Sequence, residues 1–208
     1  LKDIMIHDFN GIDIIPGSSG VEKLADLDIA QAGQLIDAFL ELSDYDYFIL
    51  DTSAGISTQV LSFCRASQEM VLVVTPEPTS LTDAYSLLKV LSKKGSMPGI
   101  RVVVNQVRTA DEARKSYAKL KKTAARFLSV SLSPLGIVAR DPNVSNAVIS
   151  QVPFLIQYPD TQAARCIRSL VLKLIKNPGQ DMPVEAFWDQ CLELLGGKPP
   201  QIEIERPG

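Results

Sequence analysis

Short runs of branched apolar residues alternate along the chain with longer stretches in which apolar residues recur at helical spacing. This alternation indicates β-α-β units and predicts a parallel sheet. The apolar runs are almost uninterrupted, which is expected where helices cover both faces of a sheet. The predicted fold class is therefore α/β, a mostly parallel sheet with helices on both faces. The predicted strands are residues 12–15, 47–51, 70–75, 100–105 and 135–138.

Helices are predicted where apolar residues return every three or four positions, at residues 29–42, 81–94, 109–127, 160–176 and 183–195. In the second of these, Ser80 is predicted to be the N-cap and Asp83 to complete an acidic variant of the capping box. Its predicted buried face is Leu81, Ala84, Leu87, Leu88 and Leu91. The third helix is predicted to bury Ala113, Tyr117, Leu120, Ala124 and Phe127.

The chain is predicted to have three parts, because Asn177-Pro178-Gly179 interrupts the helical pattern before the last helix. The parts are a globular domain over residues 1–177, an amphipathic helix within residues 178–196 and a tail over residues 197–208 that is expected to be disordered. The start, Leu1-Lys2-Asp3, is neither an initiator methionine nor a signal peptide. We therefore expect a piece of a longer chain.

Composition narrows the class of protein. The 208 residues are 46% hydrophobic and 22% charged, which is ordinary for a globular protein. A net charge of −3 argues against a surface devoted to nucleic acid. The three cysteines are odd in number and contain no C-x-x-C pair, so neither a disulfide framework nor a zinc cluster is indicated, and a reducing cytoplasm is favoured. No apolar run is long enough to span a bilayer.

The strongest chemical signal is an acid at the end of the second predicted strand. Asp51 is followed by the small residues Thr52-Ser53-Ala54-Gly55. A carboxylate at the carboxyl end of a central parallel strand lies where open α/β sheets bind ligands, and it can hold hydrated Mg²⁺ beside phosphates. Gly55 would let the backbone approach a terminal phosphate closely. The alternative is that Asp51 only caps the helix expected to start near Ile56.

Two motifs in this order resemble the MinD/ParA class of ATPases. The first is the segment from Asp51 to Gly55, and the second is Thr75-Pro76-Glu77-Pro78-Thr79-Ser80-Leu81-Thr82-Asp83-Ala84-Tyr85. More narrowly, they resemble the FlhG branch, also called FleN or YlxH, which regulates the number and placement of flagella. Three further segments are similar to that family: Ile14-Ile15-Pro16-Gly17-Ser18-Ser19-Gly20, Val103-Val104-Asn105-Gln106-Val107 and Leu135-Gly136-Ile137-Val138-Ala139-Arg140-Asp141-Pro142.

The resemblance implies a P-loop NTPase fold of the SIMIBI type, with ATP and Mg²⁺ as cofactors. It implies that Asp51 holds the metal, that Gly55 lies at the phosphates and that the base is bound by Asn105, Ala139 and Asp141. A planar side-chain amide such as that of Asn105 complements adenine N6 and N7, although an asparagine also commonly just ends a strand. Asp141 before Pro142 could equally be a helix-start residue. The sequence departs from the family at Ala139, where proline is usual, and at Gln106, where arginine is frequent.

The glycine-rich phosphate-binding loop of the family does not occur in these 208 residues. We therefore expect a partial ATPase domain over residues 1–177 that lacks the P-loop strand, and no ATP hydrolysis by this chain alone. No catalytic residue is assigned. A serine hydrolase is disfavoured because His7 is the single histidine and no G-x-S-x-G exists. The alternative functions are a non-catalytic α/β scaffold and another MinD/ParA-branch ATPase.

The expected partners follow from the resemblance and from two helices. The family implies an ATP-bound homodimer, an FlhF-like GTPase, and flagellar switch or transcription-regulator proteins. In the last helix, Phe187, Trp188, Leu194 and Leu195 lie on a predicted apolar face that either binds the cytoplasmic membrane surface peripherally or docks onto protein. Residues 108–126 carry seven basic side chains, which form a solvated face or bind an acidic partner or anionic lipid. Nothing indicates sequence-specific binding of nucleic acid.

Overall fold

The computed structural model describes residues 4–16, 38, 42, 45–93 and 97–176. These residues separate at Ser67 and Gln68 into two compact units. The first unit contains strands β1 (Ile6–Phe9) and β2 (Ile12–Ile14) and helix α1 (Thr58–Ala66). The second contains β3 (Glu69–Val74), α2 (Pro78–Ser92), β4 (Gly99–Val107), α3 (Ala110–Leu128), β5 (Ser133–Ala139), α4 (Pro142–Ser150), α5 (Phe154–Gln157) and α6 (Gln162–Lys176).

Strands β1 and β2 of the first unit form an antiparallel hairpin. Asn10 and Gly11 connect them at φ +55° and +85°. Two adjacent residues with positive φ make the tight turn whose twist suits a hairpin. The strand predicted at residues 12–15 is therefore present as Ile12–Ile14, and the Asn-Gly turn pairs it with β1 in a separate two-stranded sheet.

The predicted strand at residues 47–51 is not formed. A strand exists only where a neighbour accepts and donates its backbone hydrogen bonds. Among the described residues of the first unit, β1 and β2 pair with each other and no strand pairs with residues 47–51. The apolar side chains of this segment are consequently exposed, and Ile49 retains 90% of its accessible surface.

The second unit is built on the parallel sheet β3-β4-β5. Val103 packs with Ala163 and Leu170 of α6 in one buried cluster. Its neighbours Val102 and Val104 are also buried and, by strand alternation, point to the opposite face. Helices α2 and α3 contact each other and the strands β3 and β4. The prediction of a parallel sheet with helices on both faces is confirmed for this unit.

Helices α2 and α3 follow the predicted pattern, although Leu87 and Tyr117, which are predicted to be buried, are only half-buried. Two further predictions are wrong. Ser80 is not the N-cap of α2, which starts at Pro78 with Glu77 as cap. The fixed φ of proline suits the first helical position, and the Ser80 hydroxyl instead accepts a hydrogen bond from Thr75 N at 2.9 Å. In α3, Phe127 is 63% exposed, not buried, because the chain leaves the helix at Ser129 and Val130 takes an interior position.

The remaining predictions divide into three groups. Helix α6 confirms the helix predicted at residues 160–176. Helices α4 and α5 were not predicted. The helices expected at residues 29–42 and 183–195 and the tail at residues 197–208 lie outside the described residues, apart from Ala38 and Leu42.

Candidate functional site

Asn105 and Gln106 form a bulge near the carboxyl end of β4. Val104 pairs with Ile137 and Val107 pairs with Ala139, so two residues of β4 face one residue of β5. Gln106 has φ +57°, a left-handed conformation that costs a non-glycine residue about 1 kcal/mol. Its backbone N–H donates to Asn105 Oδ1 at 2.8 Å. Asn105 therefore does not end the strand, which continues to Val107, and bulges of this type re-aim side chains beside functional sites.

Ala139 and Asp141 follow directly from the same edge of the sheet. Ala139 is the last residue of β5 and is buried. The N–H of Arg140 extends the ladder by donating to Val107 O at 2.9 Å. Because parallel strands end at one edge, the structure brings Ala139 and Asp141 to the same edge of the sheet as Asn105.

Asp141 is the N-cap of α4, and Pro142 takes the first helical position. Its Oδ1 accepts from Asn143 N at 3.0 Å. This hydrogen bond, followed by a smaller one from the N–H of Ala163 in α6, holds the pKa of Asp141 below its ordinary value despite partial desolvation. The carboxylate thus joins the starts of α4 and α6, as the helix-start interpretation predicts. Its contact with a base stays a prediction.

Asp51 and Gly55 belong to the first unit. Both are exposed. The helix that follows them is capped by Ser57, whose hydroxyl accepts from Val60 N at 3.3 Å, so the alternative that Asp51 caps this helix is wrong. Gly55 has φ +120°, which glycine alone adopts readily, and no atom of the described residues lies within 4 Å of the position that a Cβ would take. The exposure of Asp51 and the open space at Gly55 leave room for a ligand. The roles of the two residues in binding metal and phosphate stay predictions.

Sequence reasoning missed two features of the second unit. The positive φ of Gln106 has no signature in the sequence, since glutamine is not a typical left-handed residue. Thr75, at the end of β3, has a buried hydroxyl without a hydrogen-bond partner among the described residues. Thr75 directly follows Val74, the last residue of β3 and the partner of Val104, so it lies at the same edge of the sheet as Asn105.

The basic side chains predicted around α3 are all exposed: Arg108, Arg114, Lys115, Lys119, Lys121, Lys122 and Arg126. Lys115 pairs with Asp111 at 2.7 Å. The guanidinium carbon of Arg126 lies 5.1 Å from the ring centroid of the exposed Phe127, so the two side chains make a cation–π contact. These contacts agree with a solvated face and leave the question of a partner open.

The predicted membrane- or partner-binding helix cannot be located in the described part of the chain. Phe187, Trp188, Leu194 and Leu195 lie outside it. Within it, no group of three or more histidine, cysteine, aspartate or glutamate residues could hold a metal ion. None of the helices it contains is both long and apolar enough to cross a bilayer.

Comparison with known proteins gives sequence relatives and a structural likeness. No family model matches the chain. It is 38% identical over 175 residues to the antiactivator FleN of Pseudomonas aeruginosa, covering 84% of this chain and 62% of that protein. It is 30% identical over 204 residues to the flagellum site-determining protein YlxH of Helicobacter pylori, covering 94% of this chain and 69% of that protein. The chain thus spans somewhat less than two thirds of the length of FleN.

Among solved structures, the MinD cell division protein of Aquifex aeolicus matches with a TM-score of 0.61 at 18% identity, over 88% of this chain and 71% of that one. The MinD protein of Pyrococcus horikoshii, solved with Mg-ADP, matches with a TM-score of 0.59 at 22% identity, over 86% and 72%. Identities this low establish the fold, an α/β architecture of the P-loop NTPase type, and nothing about the ligand.

Proposed function

Because this chain belongs to the FleN/YlxH branch of the MinD/ParA class of ATPases, we propose that the protein carrying it controls the number or placement of flagella as an ATP-dependent switch. The observation that carries the proposal is the 30% identity to YlxH along 94% of this chain. FleN is named an antiactivator and YlxH a site-determining protein. Both descriptions fit a regulator that changes partners with its nucleotide state.

The residues of the chain suit particular parts of Mg²⁺-ATP. Asp51 offers the exposed carboxylate oxygen that a hydrated Mg²⁺ prefers. Gly55 offers a backbone free of a side chain beside the terminal phosphate. Asn105 offers an amide edge to adenine, and Ala139 an apolar wall beside it. Bound Mg²⁺ would supply neutralising charge for the phosphates.

Asp141 has a different role in this proposal. Its carboxylate already accepts a backbone hydrogen bond at the start of α4. It therefore shapes the loop that lines the base and does not supply a free acceptor. The phosphate-binding loop of the class is not among the 208 residues, so the chain alone is expected not to hydrolyse ATP.

The switch is proposed to act through dimerisation and through the end of the chain. ATP would favour a homodimer of the domain at residues 1–177. Phe187, Trp188, Leu194 and Leu195, within residues 178–196, would then bind a membrane surface. Glu185, Asp189 and Glu193 weaken contact with anionic lipid, so two copies are needed for firm binding. Liposome co-sedimentation with ATP tests this on a protein that combines the chain with a phosphate-binding loop. The wild type should pellet, and the variant carrying both Phe187→Glu and Leu194→Glu should stay in the supernatant. If neither protein pellets, or both pellet equally, these residues are assigned to docking on protein.

The proposed partners are an FlhF-like GTPase and flagellar switch or transcription-regulator proteins. The exposed basic side chains of residues 108–126 would favour an acidic surface on such a partner. A non-catalytic scaffold of the same fold remains the alternative. It predicts binding to these partners that does not depend on nucleotide.

Deletion of the gene that carries this sequence tests the function. Flagella counted per cell by electron microscopy should change in number or position, and the wild-type gene should restore them. Complementation with Asp51→Asn should fail, whereas Asp83→Asn, which removes an exposed carboxylate from α2, should succeed. Unchanged flagella after deletion would contradict the proposal, and full rescue by Asp51→Asn would favour the scaffold.

A further inference from the structure

The hydrogen bond between Gln106 N–H and Asn105 Oδ1 decides which end of the Asn105 amide is the oxygen. The donor is a backbone N–H, and an amide nitrogen cannot accept from it. The atom 2.8 Å from Gln106 N must therefore be Oδ1. The orientation of an asparagine amide is otherwise free to reverse, so this contact removes an ambiguity that the side chain would carry in a regular strand.

The same bond leaves the recognition edge of the amide open. An amide oxygen has two lone pairs. A donor on the next residue of the same chain reaches Oδ1 from the side of Cβ, because only the carbonyl carbon, Cα, Cβ and Cγ of Asn105 separate the two groups, and the hydrogen bond closes a small ring that contains Cβ. The second lone pair lies beside Nδ2, so one edge still presents an acceptor next to a donor. Adenine offers the complementary donor at N6 and acceptor at N7, whereas guanine offers two acceptors.

The position of the N–H depends on the bulge. The N–H lies in the plane of the peptide bond between Asn105 and Gln106, and the φ of +57° at Gln106 is the backbone conformation with which the bulge between Val104 and Val107 holds this plane. The Gln106 side chain is exposed. The geometry therefore assigns the effect to the backbone conformation and gives the side chain no part in it.

We infer that Gln106 is a positioning residue for adenine, which acts by holding the amide of Asn105 in the orientation that matches N6 and N7. The inference rests on the proposed function, in which Asn105 reads the base. The left-handed conformation at Gln106 is maintained because the ladder closes on both sides of it, at Val104 with Ile137 and at Val107 with Ala139. A glycine at this position would keep the effect, and a β-branched residue would lose it.

The test compares Gln106→Gly with Gln106→Val in the 208-residue chain. Glycine accepts positive φ without strain, whereas valine strongly disfavours it. Adenosine monophosphate and guanosine monophosphate are titrated separately, and the side-chain amide signal of Asn105 is followed by NMR. Each variant is also made together with Asn105→Ala. Circular dichroism confirms folding, and Gln106→Thr replaces the valine variant if the latter does not fold, since threonine is also β-branched and strongly disfavours positive φ.

The expected result is that Gln106→Gly binds adenosine monophosphate like the wild type. Gln106→Val should bind it about two- to tenfold more weakly, the range of a single hydrogen bond, and its preference over guanosine monophosphate should shrink. In the Asn105→Ala background, the valine and glycine variants should bind equally, because the positioned group is gone.

Three outcomes would overturn the inference alone: equal weakening by glycine and valine, no weakening by valine, or a difference that persists without Asn105. Failure of the proposed base contact has another signature. If Asn105→Ala by itself leaves the preference for adenosine monophosphate unchanged, Asn105 does not read the base, whatever the Gln106 variants show.

Discussion

Two apolar runs of similar composition behave differently in the two units. Residues 69–74 form β3, with Met70, Leu72 and Val74 buried against the rest of the second unit. Residues 47–50 form no strand, and Ile49 is 90% exposed. The difference lies in hydrogen-bond partners, since β4 pairs with every residue of β3 while no described strand of the first unit pairs with residues 47–50. An apolar run therefore specifies a strand only together with its neighbour.

Truncation of one apolar residue in each unit, buried in the second and exposed in the first, gives the largest expected contrast. Leu88→Ala removes a fully buried side chain from α2 and should lower the free energy of unfolding by about 2–5 kcal/mol. Ile49→Ala should change it by less than about 0.5 kcal/mol, because that side chain is exposed. Urea denaturation followed at amide signals of β4 measures the first effect, and far-UV circular dichroism measures both. Equal losses would show that Ile49 is packed.

Two glycines of the second unit sharpen the comparison, because its sheet tolerates an extra methyl group at one and not at the other. A Cβ at Gly136 would lie 2.6 Å from Leu170 Cδ2, and Leu170 is itself buried. Among the described residues, a Cβ at Gly99 would meet only Gln68 O, at 3.9 Å. Gly136→Ala should therefore cost about 1–3 kcal/mol in unfolding free energy. Gly99→Ala serves as the matched control and should leave the melting temperature nearly unchanged; a similar drop for both would mean that α6 is not packed tightly on β5.

The smallest expected effect is a difference in how the two units hold a carboxylate. The hydroxyl of Tyr45, then the N–H of Asp8, lower the pKa of Asp13 from 3.8 to about 2, and His7 Nδ1 lies 2.9 Å from its Oδ2. The pKa of Asp141 in the second unit is lowered chiefly by a backbone N–H. Tyr45→Phe should therefore raise the pKa of Asp13 toward 3.8. Substitution of Asn143 or Thr161, whose side chains contribute less to the lowered pKa of Asp141 than the backbone N–H does, should have a smaller effect.

The sign of the pH dependence follows from the lowered pKa. The ionised carboxylate of Asp13 stabilises the hairpin above about pH 4, and this contribution is lost as the pH falls from about 4 through 2. NMR titration of the Asp13 carboxyl signal measures the shift, with Tyr47→Phe as the control because that ring is exposed and not bonded to Asp13. A Tyr45→Phe curve identical to that of the wild type would remove Tyr45 as the cause.

Most of the second unit could be predicted from the sequence, because local pattern and tertiary partner agree there. The strands β3, β4 and β5 and the helices α2, α3 and α6 all coincide with predicted elements. The short helices α4 and α5 are not predicted, because helices of 9 and 4 residues show little periodicity in the sequence. Ser80 was misplaced because proline at the first position of α2 decided where the helix starts.

The candidate site was predictable in its residue types and less so in its conformation. Asn105 and Asp141 lie at the edge of the sheet that the family resemblance implies. The pair Asp141-Pro142 also predicts the start of a helix, which the structure contains. The positive φ of Gln106 could not be predicted from the sequence, since the bulge arises from the pairing of β4 with β5. The dipeptide Asn10-Gly11 favours a hairpin, so the pairing of β1 with β2 could also have been predicted from the sequence.

The ATPase rate after Asp51→Asn is the most direct measurement of whether this chain belongs to a working nucleotide switch. The measurement needs a protein that combines the chain with a phosphate-binding loop, and Asp83→Asn is the control. Loss of the carboxylate should lower the Mg²⁺-dependent rate at least about tenfold, which corresponds to roughly 1.4 kcal/mol in the barrier, while Asp83→Asn leaves it unchanged. An unchanged rate after Asp51→Asn would contradict the assignment of the metal to Asp51.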